Sequence, residues 1–551
     1  MRTEFTRSIG HALLCSLMLL IAAASTAAAQ SLLTRHVRTE VVSGEVSLMG
    51  LLPASQSLRL DIALPLRNQS ELDDLLQKLY DPQSPLFHQF LSVAEFTAQF
   101  GPTQEDYAAV MRFAERHGLT ITGTSPNRMI LNVTGPVANI ERAFQVTMGS
   151  YQHPTEPRTF FSPDREPSPA GLAVPLWHIT GLDDFSIPHP ASLRQSEATG
   201  HATGSGPSGN FLGSDMRAAY YGGSVLTGAG QSVGLAEFGG YNMSDVEAYF
   251  TAVGQPLKVP VNGISTDGSP LTCTGTCTTD LEPALDIEEV ISMAPGLSQV
   301  RVYVARASDV DIFNQMATDN ISNSLSCSWG WSPPDPSSDD PIFAEFAAQG
   351  QTLLVASGDN GAYGKGALGT MNIYPAFDDY ITAVGATVLT TKSAGGAWKS
   401  ETAWSDSGGG IAPSILIPGY QQTAGVITKA NGGSLIMRNS PDVAIEGNTD
   451  NYICFNGSCA GGWGGTSFGA PRWAGAVALI NEQRATNGKS LVGFFNPAIY
   501  AYGLNPEYSS FFHDITTGSN GKYSAEVGYD LVTGWGSPNG QFVFESSLHS
   551  H

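Results

Sequence analysis

Between His201 and His513 the chain has no histidine, although eleven are present in its 551 residues. Acid–base chemistry mounted on that stretch must draw on other side chains, because imidazole is the group that ordinarily titrates near neutral pH. Charge is scarce as well. Charged residues make up 14% of the chain, and 27 basic residues face 50 acidic ones, a formal charge of −23. That balance excludes the basic patches on which a nucleic-acid partner depends. It suits a protein that stays dispersed at low pH, although ordinary soluble proteins also carry acidic surfaces. With 42% apolar residues, most of the chain is globular rather than disordered.

Long apolar runs are missing beyond the N-terminus, so no later span is apolar enough to cross a bilayer. At the N-terminus, Arg2 and Arg7 precede "ALLCSLMLLIAAA", and the small residues of "STAAAQ" suit cleavage after Ala29. Residues 1–29 therefore read as a secretory signal peptide, and the mature protein as secreted, extracellular and monomeric. Cysteine is sparse too. Of six, Cys15 leaves with the signal; Cys273/Cys277 and Cys454/Cys459 are short-loop pairs fit for disulfides, and Cys327 reads as a buried thiol. The spacings are not those of zinc knuckles, and no histidine lies near either pair.

Residues 30–196 alternate short strands and helices. "LRLDIALP" reads as a strand, "SELDDLLQKLYD" and "VANIERAFQVTM" as helices, and "TQEDYAAVMRFAERHG" as a helix capped by Thr103. "LTITGTSPNRMILNVTG" reads as a hairpin, which makes the unit α+β. Residues 197–210, "EATGHATGSGPSGN", have the composition of a flexible, protease-accessible linker. In residues 211–551 the runs "SVGLAEF", "VRVYVA", "TLLVASGD" and "YITAVGAT" are apolar throughout, as strands buried on both faces of a parallel sheet are. This larger unit is an α/β domain, and its site belongs at the carboxyl ends of the strands.

"GGWGGTSFGAPRWAG" places Ser467 at the mouth of an apolar helix, where a hydrolase would mount a nucleophile. Unless His513 folds back, it has no histidine base. Carboxylates offer a substitute. Glu282 and Asp286, four apart in "LEPALDIEEV", fall on one face of a helix. Pro283 puts Glu282 in the first turn, where the helix dipole favours a carboxylate. From spacing alone the pair, with Glu288 and Glu289, equally reads as a solvated acidic face. Asp359 ends the run "TLLVAS" in "SGDNG": a turn by composition, or a protonated acid facing a developing oxyanion.

In their order and number, "DPQSPLFHQFLSVAEFTAQFGPTQEDY", "LDIEEVISMAPG", "SLSCSWG", "VASGDNGAYG", "ETAWSDSGGG", "RNSPDV" and "GGTSFGAP" resemble the sedolisins, or serine-carboxyl peptidases. The likeness is greatest to kumamolisin-like precursors with an activation propeptide. It implies a subtilisin-like catalytic domain, Ser467 as nucleophile, Glu282 as general base, Asp286 as its orienting partner and Asp359 as the oxyanion acid. Ser326 to Gly330 would lie near the first specificity pocket. "HDITTGSNGKYSAEVGYDLVTGWGSP" resembles the family's calcium site, implying one structural Ca2+ held by Asp514 and Asp530 carboxylates and by Ile515, Glu526 and Gly528 carbonyls. The implied protein is a self-processing, acid-acting endopeptidase whose partners are peptide substrates and its own propeptide. The alternatives are a tripeptidyl-peptidase, a subtilisin-type enzyme using His513, or an inactive calcium-stabilised binding protein.

Overall fold

The computed structural model describes residues 32–191, 194–195, 203–222, 225–273, 281–306, 308–332, 336–364 and 374–540. The expected signal peptide, Cys277 and residues 197–202 of the expected linker lie outside them. Among the described residues no helix is long and apolar enough to cross a membrane.

The N-terminal unit is built on an antiparallel sheet with strand order Thr120–Thr124, Ile130–Pro136, Ser57–Ala63 and His178–Thr180. Leu60, Ile62, Leu131 and Val133 pack against helices Gln104–Arg116 and Val137–Phe144, which bring Val110, Phe113, Ile140 and Phe144. The first helix starts where the Thr103 hydroxyl accepts from Asp106 N–H at 3.0 Å, satisfying an otherwise orphaned donor.

The C-terminal unit carries the second sheet. Its strands in chain order are β1 (Ser232–Glu237), β2 (Val261–Ser265), β3 (Gln299–Val304), β4 (Ser324–Cys327), β5 (Thr352–Ala356), β6 (Ile381–Thr391), β7 (Trp398–Ala403) and β8 (Val443–Glu446). The order across the sheet is β2-β3-β1-β4-β5-β6-β7, with β8 paired to β6. Every pairing is parallel except β6–β7. The four apolar runs of the sequence are β1, β3, β5 and β6, and β4 and β5 are buried at every position. This is the subtilisin-like α/β arrangement. Helices α1 (Leu281–Met293) and α2 (Gly469–Thr486) cross in close contact. A Cβ added at Gly475 would lie 2.7 Å from Met293 Cβ, so a side chain there would push the two helices apart.

Residues 203–210, the described part of the expected linker, are bonded to the C-terminal unit. Thr203 is bonded to Thr391, the Ser205 hydroxyl donates to Asp215 at 2.6 Å, and Asn210 accepts from Gly462 N–H at 2.9 Å. The small polar residues that give a tether its composition here supply the donors and acceptors that fix the segment to the C-terminal unit. Cys454 and Cys459 form a disulfide, and Cys327 is a buried free thiol.

The N-terminal unit docks on helix Pro336–Gln349. Tyr80 Oη donates to Ala347 O at 2.6 Å, Leu91 N–H to Ala348 O at 2.9 Å, and Asn127 Nδ2 to Glu345 Oε2 at 2.7 Å. Arg59 pairs with Asp311 beside them.

Candidate active site

The carboxyl ends of β1, β4 and β5 converge on the start of α2, and every candidate catalytic residue lies there. Ser467 sits in a single 3-10 turn, Thr466–Phe468, that leads directly into α2. Glu282 and Asp286 project from the first turns of α1. Neither belongs to a solvated face: Glu282, Asp286, Glu288 and Glu289 are all 0% exposed. The acidic helix is an interior one.

Burial is the main cause of the site's electrostatics. It pushes the Glu282 carboxyl well above its ordinary range, and the neighbouring charges of Asp286 and Asp359 add to the effect. The Ser467 hydroxyl, close to Glu282, acts the other way by favouring the ionised form. Asp286 is raised by burial and then by Glu237, the last residue of β1, which is itself buried and raised. Trp329 Nε1 donates to Glu237 Oε2 at 2.8 Å. Ser467, Glu282, Asp286, Glu237 and Trp329 are thus electrostatic neighbours inside the protein, of which only Trp329 and Glu237 are hydrogen-bonded to each other. Among the described residues no Lys or Arg pairs with any of the three carboxyls, so protons must balance their charge.

The segment after β4 completes the site. Ser328 Oγ donates to Asp286 Oδ1 at 2.8 Å and lies 3.3 Å from the carbonyl oxygen of Ser467. Asp359 follows β5 through Gly358, whose φ of +104° is a conformation glycine adopts without penalty. Thr466 N–H and Oγ donate to Asp359 Oδ1 at 2.6 and 2.7 Å. His513 is elsewhere. Its ring stacks on Trp398 of β7 with centroids 3.9 Å apart, and burial pushes its pKa down to about 4. The histidine-based alternative is therefore excluded by position. Glu237 and Thr466 are not singled out by the sequence, and Ser328 only as part of the stretch Ser326 to Gly330 near the specificity pocket; the one signal for Glu237 is a Glu closing an otherwise apolar strand run.

The N-terminal unit ends in this site. His189 and Pro190 pair antiparallel with Gly330 and Trp329, and Ala191 N–H donates to Ser328 O at 3.0 Å. Ala191 packs on Ala356, three residues before Asp359, and on Ala470, three after Ser467. Arg194 and Gln195 pair antiparallel with Gly464 and Trp463, just ahead of the nucleophile position. The chain therefore enters and leaves the site as an added β-strand, the way a peptide binds a sheet edge.

A serine beside buried carboxyls and an N-terminal unit threaded through its cleft can be set against known proteins. Kumamolisin from Bacillus sp. (strain MN-32) is 31% identical over 532 residues, spanning 90% of this chain and 93% of its own. The chain belongs to the sedolisin family. Residues 46–185 match the pro-kumamolisin activation domain, and residues 289–522 match the subtilase family. Tripeptidyl-peptidase sed1 of Aspergillus fumigatus is 28% identical across 93% of this chain and 97% of its own. The solved structure of Pseudomonas sedolisin, a serine-carboxyl proteinase complexed with pseudo-iodotyrostatin, superposes with a TM-score of 0.54 at 27% identity. It covers 65% of this chain and all of its own. This sedolisin is a serine-carboxyl peptidase made with an activation propeptide, and its substrates are peptides.

The two aspartates of the expected calcium site face a common segment. Asp514 accepts from Gly528 N–H at 3.1 Å, and Asp530 from Glu526 N–H at 3.0 Å, so both carboxylates face one loop. Asp530 is fully buried and pushed up to about 7 by burial, and among the described residues neither aspartate has a cationic partner. Ile515 is buried next to Asp514. One buried and one half-buried carboxylate, without a counter-charge among the described residues, are compatible with a hard cation.

Proposed function

We propose that this chain is the secreted precursor of an acid-acting endopeptidase that processes itself. Ser467 attacks the scissile carbonyl while Glu282 takes its proton and returns it to the leaving amine. Asp286, held by Ser328 and backed by Glu237, orients Glu282 and tunes its proton affinity. Asp359, protonated, donates to the oxyanion, a contribution typically worth roughly 10²–10³ in rate. The observation that carries this reading is the buried Ser467–Glu282–Asp286 group, with Asp359 across from it and His513 stacked away on Trp398. Five oxygen ligands, from Asp514, Ile515, Glu526, Gly528 and Asp530, would hold one structural Ca2+.

The threaded segment supports endopeptidase action. Counting back from Ala191, His189 is the third residue, and the chain runs on N-terminal to it through Pro188. A tripeptidyl-peptidase needs the cleft closed at that point to capture a free amine. Mapping the peptides released from casein decides between the two: internal cuts are expected, whereas a ladder of tripeptides from the N-terminus would establish the exopeptidase.

We further propose a first self-cleavage after Ala191. The backbone of Ala191 is bonded to Ser328 O, and its side chain packs with Ala356 and Ala470, on the segments bearing Asp359 and Ser467. In the proposed register its carbonyl is the one attacked. Acidified precursor should give a new N-terminus at Ser192, before any trimming within residues 197–202, and Ser467→Ala precursor should give none. A first product beginning elsewhere refutes the register.

Calcium is the proposed staple of the C-terminal loop. Chelation of mature enzyme should lower Tm by about 5–10 °C, the effect of removing a ligand present at a few hundred times its Kd, about 3 kcal/mol. Asp530→Ala should reproduce the loss and bind no calcium by elemental analysis. An unchanged Tm after chelation, with no metal in the purified protein, refutes the site.

A further inference from the structure

Thr466 performs no step in the reaction above, yet it bonds twice to Asp359. Its N–H and its hydroxyl both donate to one oxygen, Oδ1, at 2.6 and 2.7 Å. The hydroxyl oxygen accepts in turn from Gly358 N–H at 2.9 Å. That third bond fixes the rotor, since a hydroxyl receiving a donor on one side turns its own proton away from it. Thr466 and Asp359 are both 0% exposed, so no bulk water competes for these bonds.

A carboxyl oxygen that already receives two short hydrogen bonds cannot also carry the acid proton without giving one of them up. In a buried site the lost bond is not replaced by solvent. The proton of a neutral Asp359 is thereby confined to Oδ2. We propose that Thr466 is a positioning residue that fixes the Asp359 proton on Oδ2, the oxygen left to donate toward the oxyanion. This rests on the reading of Asp359 as the oxyanion acid.

The arrangement has a cost that can be measured. Donors to Oδ1 also favour the ionised carboxylate, so Thr466 lowers the pH at which Asp359 loses its proton. Among the described residues Glu282 of α1 faces Asp359 from the opposite element, and the Asp359 charge raises the proton affinity of Glu282. Thr466 therefore trades some of the alkaline range of the enzyme for correct placement of the proton.

The test is the pH profile of kcat for Thr466→Val and Thr466→Ser, each precursor matured in trans by a trace of wild-type enzyme. Valine keeps the shape and the N–H but removes the hydroxyl. It should lower kcat at the optimum by about 10–100-fold and move the alkaline limb upward by about 0.5–1 pH unit, the loss of one hydrogen bond to a charged group. Serine keeps the hydroxyl and should retain the wild-type limb with kcat within about threefold, a comparison that stands even if the valine variant does not fold. An alkaline limb that stays in place or moves down in Thr466→Val overturns the proposal. So does a serine variant whose limb shifts upward. Asp359→Asn separates the two readings. If that variant keeps the wild-type alkaline limb, the limb does not belong to Asp359 and the oxyanion assignment has failed. If it loses the limb while Thr466→Val leaves it untouched, only the role of Thr466 has failed.

Discussion

Glu282→Gln should cost about 10⁴-fold in kcat/KM, and Ser467→Ala about 10⁶-fold. The glutamine is nearly isosteric and keeps the helix start intact, so packing should not change. What it removes is the carboxylate next to Ser467 proposed to accept its proton. Its amide cannot act as a base, and His513, the one described histidine of the C-terminal unit, is stacked on Trp398. Ser467→Ala removes the nucleophile itself, leaving only the binding and oxyanion contributions. Both variants should remain uncleaved as purified precursors and should be trimmed normally by added wild-type enzyme, which checks that they fold. A Glu282→Gln enzyme retaining a tenth of wild-type activity would remove the carboxylate from the mechanism.

Part of this site is legible in the sequence because local physics determines it. Strands buried on both faces need apolar residues at every position, and β1, β3, β5 and β6 show them as unbroken runs. Pro283 fixes the helix start, and the four-residue step from Glu282 to Asp286 fixes their common face. Burial of that face is not local information. A pattern of four carboxylates on one helix ordinarily means solvent, and only tertiary packing reveals that α1 lies under α2 with Arg472 paired to Glu289 and Cys454 N–H bonded to Glu288. Glu237 is hidden for the same reason. At the end of an apolar strand it looks like the first polar residue of a loop, and it joins the site only because β1 lies beside β4 and so beside Trp329. The linker shows the converse. Its Gly, Ser and Thr composition allows flexibility, but partners distant in sequence, Asp215 and Thr391 among them, decide that residues 203–210 are fixed.

The concentration of buried carboxyls also sets how the fold responds to pH. Glu237, Glu282, Asp286, Glu288, Asp339, Asp378 and Glu446 are all raised well above the ordinary range, each chiefly by burial. A carboxyl whose folded-state pKa exceeds its unfolded value contributes stability that is complete below the unfolded value, near ~4. That contribution is lost as pH rises through the folded value. These groups thus favour the fold in acid, the range in which the enzyme is proposed to act.

Activity should follow a bell confined to the acid range, with its maximum well below pH 6. The rising limb belongs to the coupled Glu282–Asp286–Glu237 group, which must lose a proton before it can accept one from Ser467. Burial and mutual repulsion hold that proton more tightly than in a free carboxyl, so the limb lies above the reference value of ~4.3 for Glu rather than below it, and its apparent pKa belongs to the group as a whole. The falling limb belongs to Asp359, which must keep its proton; once ionised it repels the oxyanion it is meant to stabilise. The two requirements oppose each other, and the window between them is narrow. Asp359→Asn tests the falling limb directly. Its amide donates at any pH, though more weakly than a carboxylic acid, so the variant should lose about 10²–10³-fold at the optimum. Relative to wild type it should lose less at neutral pH, where the native aspartate has itself ionised. A histidine-based enzyme would show the reverse, gaining activity as its imidazole lost a proton near pH ~6.5. Full wild-type activity at pH 8 with little at pH 4 would overturn the carboxylate mechanism. An asparagine variant whose deficit stays constant from pH 4 to pH 7 would leave the mechanism standing but assign the alkaline limb to another group.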